Sequence, residues 1–331
     1  MAPAAANSAM CEVTDLTVAY QSGDEWLRAV RSVSFEVRRG EILAVVGETG
    51  SGKSTTATAV IRMLPANGKV VSGRVMFDGR DLVHLPSQEM RRLRGQDIAY
   101  VPQQPMSAFN PTMTVGRQVA EPLLIHRRAN ASDAAREASK RLKEMGIREV
   151  DRVMKAYPHQ LSGGMLQRAM IATAMICQPR LLILDEPTSA LDVTIQRQIL
   201  ALIKQVQSEY RLAVILISHD LTVVSQVADR ILVMYGGRAV EIGATEAIMN
   251  RARHPYTRGL LRSTMAGERE HKAKLASLAG YPPAPHDVDS EQGCPFRPRC
   301  PRAVDQCSTM FPPFSAGGAD SWACFNPEPV E

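Results

Sequence analysis

Leu161-Ser162-Gly163-Gly164-Met165 stands shortly before Leu181-Leu182-Ile183-Leu184-Asp185-Glu186 and well after Gly47-Glu48-Thr49-Gly50-Ser51-Gly52-Lys53-Ser54. The glycine loop by itself reports that a triphosphate is held. A separate Ser-Gly-Gly helix start adds a second phosphate-binding end, because the first N–H groups of a helix lack intrahelical partners and face an anion. One chain with both ends, the second serving a nucleotide presented by another subunit, predicts half of an ATP-sandwiching dimer.

Working outward, Ile42-Leu43-Ala44-Val45-Val46 reads as a buried strand that feeds the loop, and Lys53 to Leu64 as a helix stopped by Pro65, the strand, loop and helix order a phosphate loop requires. Glu12 to Val18, Val33 to Val37, Ser72 to Gly79 and Asp97 to Val101 read as further strands, with Asp78-Gly79 as a turn. Between Val115 and Tyr157 the pattern turns helical, with Ser132 as N-cap of a helix from Asp133 to Met145. Strands then return at Leu181 to Leu184, Leu212 to Ile217 and Ile231 to Met234, around a helix from Val193 to Glu209. Apolar strands alternating with helices imply a parallel sheet covered on both faces.

The 331 residues suffice for a large core, and 45% hydrophobic with 22% charged residues is an ordinary globular composition. The longest apolar runs, such as Leu212 to Ile217, fall far short of a membrane span. Met1 to Met10 lacks the basic segment and apolar core of a secretory signal, so a cytoplasmic setting is expected. The net charge of +5 is dispersed, and its densest cluster, Arg91-Arg92-Leu93-Arg94, reads as a solvated helix face rather than a nucleic-acid patch.

In the loop, the glycines allow backbone N–H groups to point at phosphate oxygens, Lys53 neutralises the β- and γ-phosphates, and Ser54 offers a hydroxyl to Mg²⁺. Asp185 and Glu186 emerge at the carboxyl end of a buried strand, where ligands of open α/β sheets bind. Asp185 is expected in the magnesium shell and Glu186 as the group that polarises the attacking water. His219, at the end of the following strand, is a candidate γ-phosphate sensor, and Gln103, after Val101-Pro102, a further Mg²⁺ ligand.

The set Gly47 to Thr55, Gln103, Leu161 to Met165, Leu184 to Glu186, Ser189-Ala190-Leu191-Asp192 and His219 resembles the ATPase subunit of ABC transporters over roughly residues 12 to 250. The resemblance implies a P-loop α/β fold with a mixed sheet core, an antiparallel β subdomain and an inserted helical subdomain at about 115–164, followed by a Cys/Pro-rich extension. It assigns Gly47, Gly50, Ser51, Gly52, Lys53, Ser54 and Thr55 to Walker A, Gln103 to the Q-loop, Ser162, Gly163 and Gly164 to the signature, Asp185 and Glu186 to Walker B, Asp192 to the D-loop and His219 to the switch position, with Tyr20 stacking on adenine. Met165, Pro105 to Pro111, His254 to Leu261 and the tail Gly293 to Pro301 resemble the oligopeptide and dipeptide importer branch. That branch implies two membrane permease subunits, a second and commonly different ATPase chain, an extracytoplasmic peptide-binding protein, no nucleic-acid partner, and a peripheral place on the cytoplasmic membrane face.

The expected organisation is a flexible start at 1–11, a nucleotide-binding domain at 12–265 and the extension at 266–331. Cys11 and Cys177 stand alone, Cys177 as a small core residue, while Cys294, Cys300, Cys307 and Cys324 crowd a proline-rich tail. Clustered thiols in a reducing compartment bind metal more often than they form disulfides. Gaps of five, six and sixteen residues do not match a zinc ribbon. The residues leave Zn²⁺ and a 4Fe-4S cluster open, and the family resemblance points to the cluster, as a structural staple rather than a redox switch. Other readings of the chain are a soluble ABC-type ATPase of repair or translation, an ATPase subunit for nickel or another small solute, and a redox-sensing tail that gates hydrolysis.

Overall fold

The computed structural model describes residues 9–189, 191–269, 280–283, 293–315 and 320–329. Residues 1–8 of the expected N-terminal segment, Ala190 of the D-loop run and Pro285 of the tail lie outside them.

Along the chain, β1 (Ala9–Ser22) and β2 (Glu25–Arg38) are longer than the apolar runs that signalled them. β3 (Ile42–Val46) is buried at every residue and leads to α1 (Lys53–Val60), which ends before Pro65 as Arg62 turns left-handed at φ 51°. β4 (Gly68–Phe77) and β5 (Arg80–Asp81) flank a turn with φ 48° at Asp78 and 77° at Gly79, the primed hairpin geometry that suits right-twisted strands. α2 (Ser87–Leu93), β6 (Ile98–Val101) and α3 (Pro105–Ala108) precede the helical stretch α4 (Val115–Ile125), α5 (Ala131–Glu144), α6 (Val150–Lys155) and α7 (Gly163–Met175). The N-cap of α5 is Asn130, not Ser132: its side chain accepts the Asp133 N–H at 2.9 Å, satisfying a first-turn donor. β7 (Leu181–Asp185), α8 (Val193–Tyr210), β8 (Ala213–Ser218), α9 (Leu221–Ser225), β9 (Arg230–Tyr235), β10 (Arg238–Ala244), α10 (Thr245–Arg251), α11 (Pro255–Arg269) and β11 (Ser321–Trp322) complete the order.

The chain divides into two compact units. One comprises 38–41 and 84–215 with the first residues of β1; the other comprises 11–37, 42–83 and 216–331. In the first, β6 runs parallel to β7, with Ile98 to Val101 opposite Leu181 to Leu184. Helices α4, α5, α6 and α7 pack on one another there. Arg141 of α5, almost fully buried, is held by Glu137, Glu144 and the Tyr210 hydroxyl, so its charge is matched inside the helical layer. Cys177 is buried as expected of a small core residue.

In the second unit, β3 and β9 are parallel, whereas β9 with β10 and β10 with β11 are antiparallel, in the order β11-β10-β9-β3. The sheet is therefore mixed, as the family resemblance implied and the simple alternation of strands and helices did not. A second sheet, β2-β1-β4-β5, includes the antiparallel β1–β4 pair. The tail uses this unit rather than building a core of its own: Ser321 and Trp322 pair with Ile242 and Glu241, and Phe296 is fully buried. Among the described residues no helix is long and apolar enough to cross a membrane.

Candidate functional site: a phosphate loop and a strand-end acid pair

The phosphate loop lies in the second unit. Gly47 has φ 155°, and a Cβ there would fall 2.2 Å from the Met234 carbonyl oxygen; Gly52, at φ 96°, would place one 2.7 Å from the Ala29 carbonyl oxygen. Both positions therefore demand glycine, because the obstructing atoms are backbone. Lys53 is buried, and its ammonium donates to the carbonyls of Gly47 at 2.7 Å and Glu48 at 2.9 Å, so the charge is centred on the loop. Ser51 is buried, while Gly50 has open space around its Cα. Ser54 and Thr55 follow in the first turn of α1. Tyr20 of β1 donates its hydroxyl to Thr55 Oγ1 at 3.3 Å, and its ring lies against Gly68, where an added Cβ would come within 2.6 Å. His219 follows β8 as an exposed residue of the same unit.

Glu48 is held at three places. Its N–H donates to the Tyr256 hydroxyl at 2.9 Å, its carbonyl accepts from Lys53, and its carboxylate receives both Arg299 nitrogens, at 2.7 and 3.1 Å. Arg299 also donates to the Tyr235 hydroxyl at 3.1 Å. Burial pushes the Tyr235 and Tyr256 hydroxyls up from their ordinary range, so both stay protonated. Behind them, Tyr256 N–H donates to His254 Nδ1 at 3.1 Å, and the Glu241 carboxylate accepts the N–H groups of Arg253 and His254. Burial lowers the His254 pKa to about 3, which keeps that ring a neutral acceptor.

The acid pair lies in the first unit. Asp185 ends β7, is 4% exposed, and accepts the Tyr100 hydroxyl at 3.0 Å. Burial, then the adjacent Asp185 charge, raises the Tyr100 pKa, so Tyr100 remains a donor. Glu186 has φ 46°, a left-handed conformation that costs a glutamate about 1–3 kcal/mol. The amide nitrogen of Gln103 donates to Glu186 Oε2 at 2.9 Å, so these two expected site residues do come together. Asp192 caps α8, its carboxylate accepting the N–H groups of Thr194 and Ile195 at 3.0 Å each. Ser162 caps α7 by accepting from Met165 N–H at 3.4 Å. A Cβ on Gly164 would lie 2.8 Å from Ile195 Cγ2, whereas one on Gly163 would meet Leu191 at an ordinary 3.5 Å.

The four tail cysteines are free thiols. Burial first, and then the charges of the other three, push Cys294 up to about 12; Cys324 is raised to about 11 and Cys300 is raised likewise by burial. Three sulfurs also accept a backbone N–H from the residue two positions ahead, namely Phe296, Arg302 and Asn326, a donor pattern that favours thiolate. Yet among the described residues no three His, Cys, Asp or Glu side chains gather closely enough to hold a metal ion. The expected cluster at Cys294, Cys300, Cys307 and Cys324 is thus not supported by the geometry: the thiols share a neighbourhood without forming a coordination set.

Sequence reasoning missed Tyr100, Tyr235 and the Glu48–Arg299 pair. No local signal marks Arg299, which lies 251 residues from its partner. Tyr256 stands out in the sequence only within the run His254 to Leu261.

Comparison with known proteins gives the family of the chain. The ABC transporter family profile matches residues 30–189, and that of the oligopeptide/dipeptide transporter C-terminal region matches residues 240–307. The chain belongs to the ATP-binding subunits of ABC transporters, in their oligopeptide/dipeptide branch, and is an ATPase. It is 41% identical to the oligopeptide transport ATP-binding protein OppD of Escherichia coli, covering 96% of this chain and 94% of that one. It is 46% identical to the dipeptide transport ATP-binding protein DppD of Bacillus subtilis, covering 91% and 89%. Among solved structures it resembles the ATP-binding cassette MJ0796 in a dimeric post-hydrolysis state bound to ADP and Pi, with a TM-score of 0.65 and 28% identity over 71% of this chain and 99% of that one.

Proposed function

We propose that this chain hydrolyses ATP to power uptake of oligopeptides or dipeptides through two permease subunits, acting from the cytoplasmic membrane face beside a second ATPase chain and supplied by an extracytoplasmic peptide-binding protein. The observation that carries the reading is the match of both the cassette and the C-terminal region to that branch, with the loop glycines of one unit held by backbone contacts that only glycine tolerates.

In this reading Lys53 and the loop N–H groups hold the triphosphate, Tyr20 takes the adenine face, and His219 reads the γ-phosphate. Ser162, Gly163 and Gly164 serve the nucleotide of the partner chain, and Asp192 fixes the start of α8 beside them. Ser54, Gln103 and Asp185 offer hydroxyl, amide and carboxylate oxygens, the hard donors that Mg²⁺ takes. Mg²⁺ supplies neutralisation of the phosphate oxygens when bound. Glu186 polarises the attacking water, and Gln103, bonded to its carboxylate, orients it. Uptake of labelled dipeptides by cells producing the parent or Glu186→Gln chain tests the proposal. Loss of peptide uptake, with free amino acid uptake intact, is expected; unchanged peptide uptake refutes it.

We further propose that Cys294, Cys300, Cys307 and Cys324 bind a metal centre, a 4Fe-4S cluster with Zn²⁺ as the alternative. The crowding of four cysteines within a proline-rich tail supports this, together with the backbone N–H groups that three of the sulfurs accept. Iron, acid-labile sulfide and zinc in anaerobically purified parent and Cys324→Ser chains decide it, and metal-free parent protein refutes it.

A further inference from the structure

We propose that Arg299 is a positioning residue for nucleotide binding: it reaches from the C-terminal extension to the phosphate loop, neutralises Glu48 and fixes the loop's second residue in place. The inference rests on reading Gly47 to Ser54 as the nucleotide loop.

The arginine is 6% exposed at its side chain, and such burial of a cation requires a matched partner. Glu48 is that partner, and two parallel N–H···O bonds at 2.7 and 3.1 Å make the pair a fork, the geometry in which arginine is most selective. The arginine ends a 3-10 turn, Arg297–Arg299, that starts beside Phe296. Phe296 is an anchor: it is fully buried and meets Tyr235 edge-on at 5.2 Å and Tyr256 at 5.4 Å between ring centroids. Those two tyrosines bond Arg299 and the Glu48 N–H respectively. The extension therefore docks on an aromatic cluster whose two hydroxyls hold the two members of the pair, Tyr256 the Glu48 N–H and Tyr235 the Arg299 guanidinium, and Arg299 directly precedes Cys300, so the cysteine segment is continuous with the clamp.

Charge gives the pair its consequence. A carboxylate on a loop that must receive a triphosphate repels it, and a bidentate guanidinium cancels that charge while leaving Lys53 to face the phosphates. Removing Arg299 leaves the carboxylate uncompensated; removing both restores neutrality.

The test measures binding of a fluorescent ATP analogue, and steady-state KM and kcat, for the parent, Arg299→Ala, Glu48→Gln and the double variant. Arg299→Ala is expected to raise Kd and KM for ATP about tenfold with kcat largely kept, the size of coupling found for close charge pairs. Glu48→Gln is expected to bind ATP more tightly than the parent, and the double variant to return within about threefold of it. A purely structural loss at Arg299 is not rescued by changing Glu48, so a double variant as weak as Arg299→Ala overturns the proposal, as does parent-like affinity in Arg299→Ala. A parent chain that binds no ATP analogue strikes instead at the reading of the loop, on which both proposals stand.

Discussion

Two adjacent glycines at the start of α7 are expected to fail differently when changed to alanine. At Gly164 the new Cβ would sit 2.8 Å from Ile195 Cγ2, a branch atom on a side chain that is stiff about its first torsion. Overpacking of this kind costs about 1–3 kcal/mol. The gain from replacing glycine in a helix is at most about 1 kcal/mol, leaving a net loss of up to about 2 kcal/mol and a fall in Tm of up to about 3 °C for a chain of this size. At Gly163 the Cβ meets only Leu191, at 3.5 Å, so the helix gain is uncancelled and Tm holds or rises. That methyl group nonetheless grows at the helix start that, in the proposed function, serves the partner nucleotide, and ATP turnover should fall at least about tenfold, as it does when a transition-state contact is lost. Thermal unfolding of the purified chains, beside ATPase assays with the partner subunit, separates the two effects. Gly163→Ala that unfolds below Gly164→Ala, or that retains full turnover, would show that the contacts with Leu191 and Ile195 do not set the roles of these glycines.

Other consequences are as direct. His254 is depressed by burial from 6.5 to about 3, so its stabilising contribution is complete above pH 6.5 and is lost as pH falls toward 3, by at most about 1.4 kcal/mol per pH unit. Urea unfolding at pH 7 and pH 5 should show this loss, and a His254→Gln chain should lose less over the same interval; equal losses would refute the assignment. Tyr100→Phe removes the hydroxyl donated to buried Asp185 and should destabilise the chain by about 1–3 kcal/mol in urea unfolding, with an unchanged midpoint counting against it. Lys53→Ala removes the ammonium centred on the loop carbonyls and should severely weaken ATP binding in calorimetric titration; parent-like affinity would remove Lys53 from the site.

The loop, β3 and α1 were legible because glycine spacing and an apolar strand are local signals, and the structure needs those glycines for contacts with Met234 and Ala29. β10 is absent from the expected strands although Gly236 and Gly237, at φ 53° and 77°, form the two-residue turn that announces a hairpin. β11 carries no comparable signal, since two residues are too few for a period and their pairing with Glu241 and Ile242 is a tertiary choice. The N-cap of α5 differs from the expected Ser132 because Asn130 and Ser132 are both good caps, and only geometry shows which side chain reaches a first-turn N–H. Glu186 could be picked out as an acid after a strand, but its left-handed backbone and its bond to Gln103 could not. The clamp of Arg299 on Glu48 is invisible in sequence because each residue, alone, reads as one more charge among many and nothing local announces its burial.

The central claim is that Glu186 drives hydrolysis on a nucleotide that the loop binds independently of it. Gln103 donates to Glu186 Oε2, a bond that a glutamine at 186 can still accept, so Glu186→Gln removes the charge with little change of shape. Single-turnover ATP hydrolysis and ATP binding by parent and Glu186→Gln chains, assembled with the partner ATPase and permease subunits, test this most directly. ATP affinity within about threefold of the parent and hydrolysis at this chain's site slowed at least about a hundredfold is the predicted result; hydrolysis at the parent rate would contradict it.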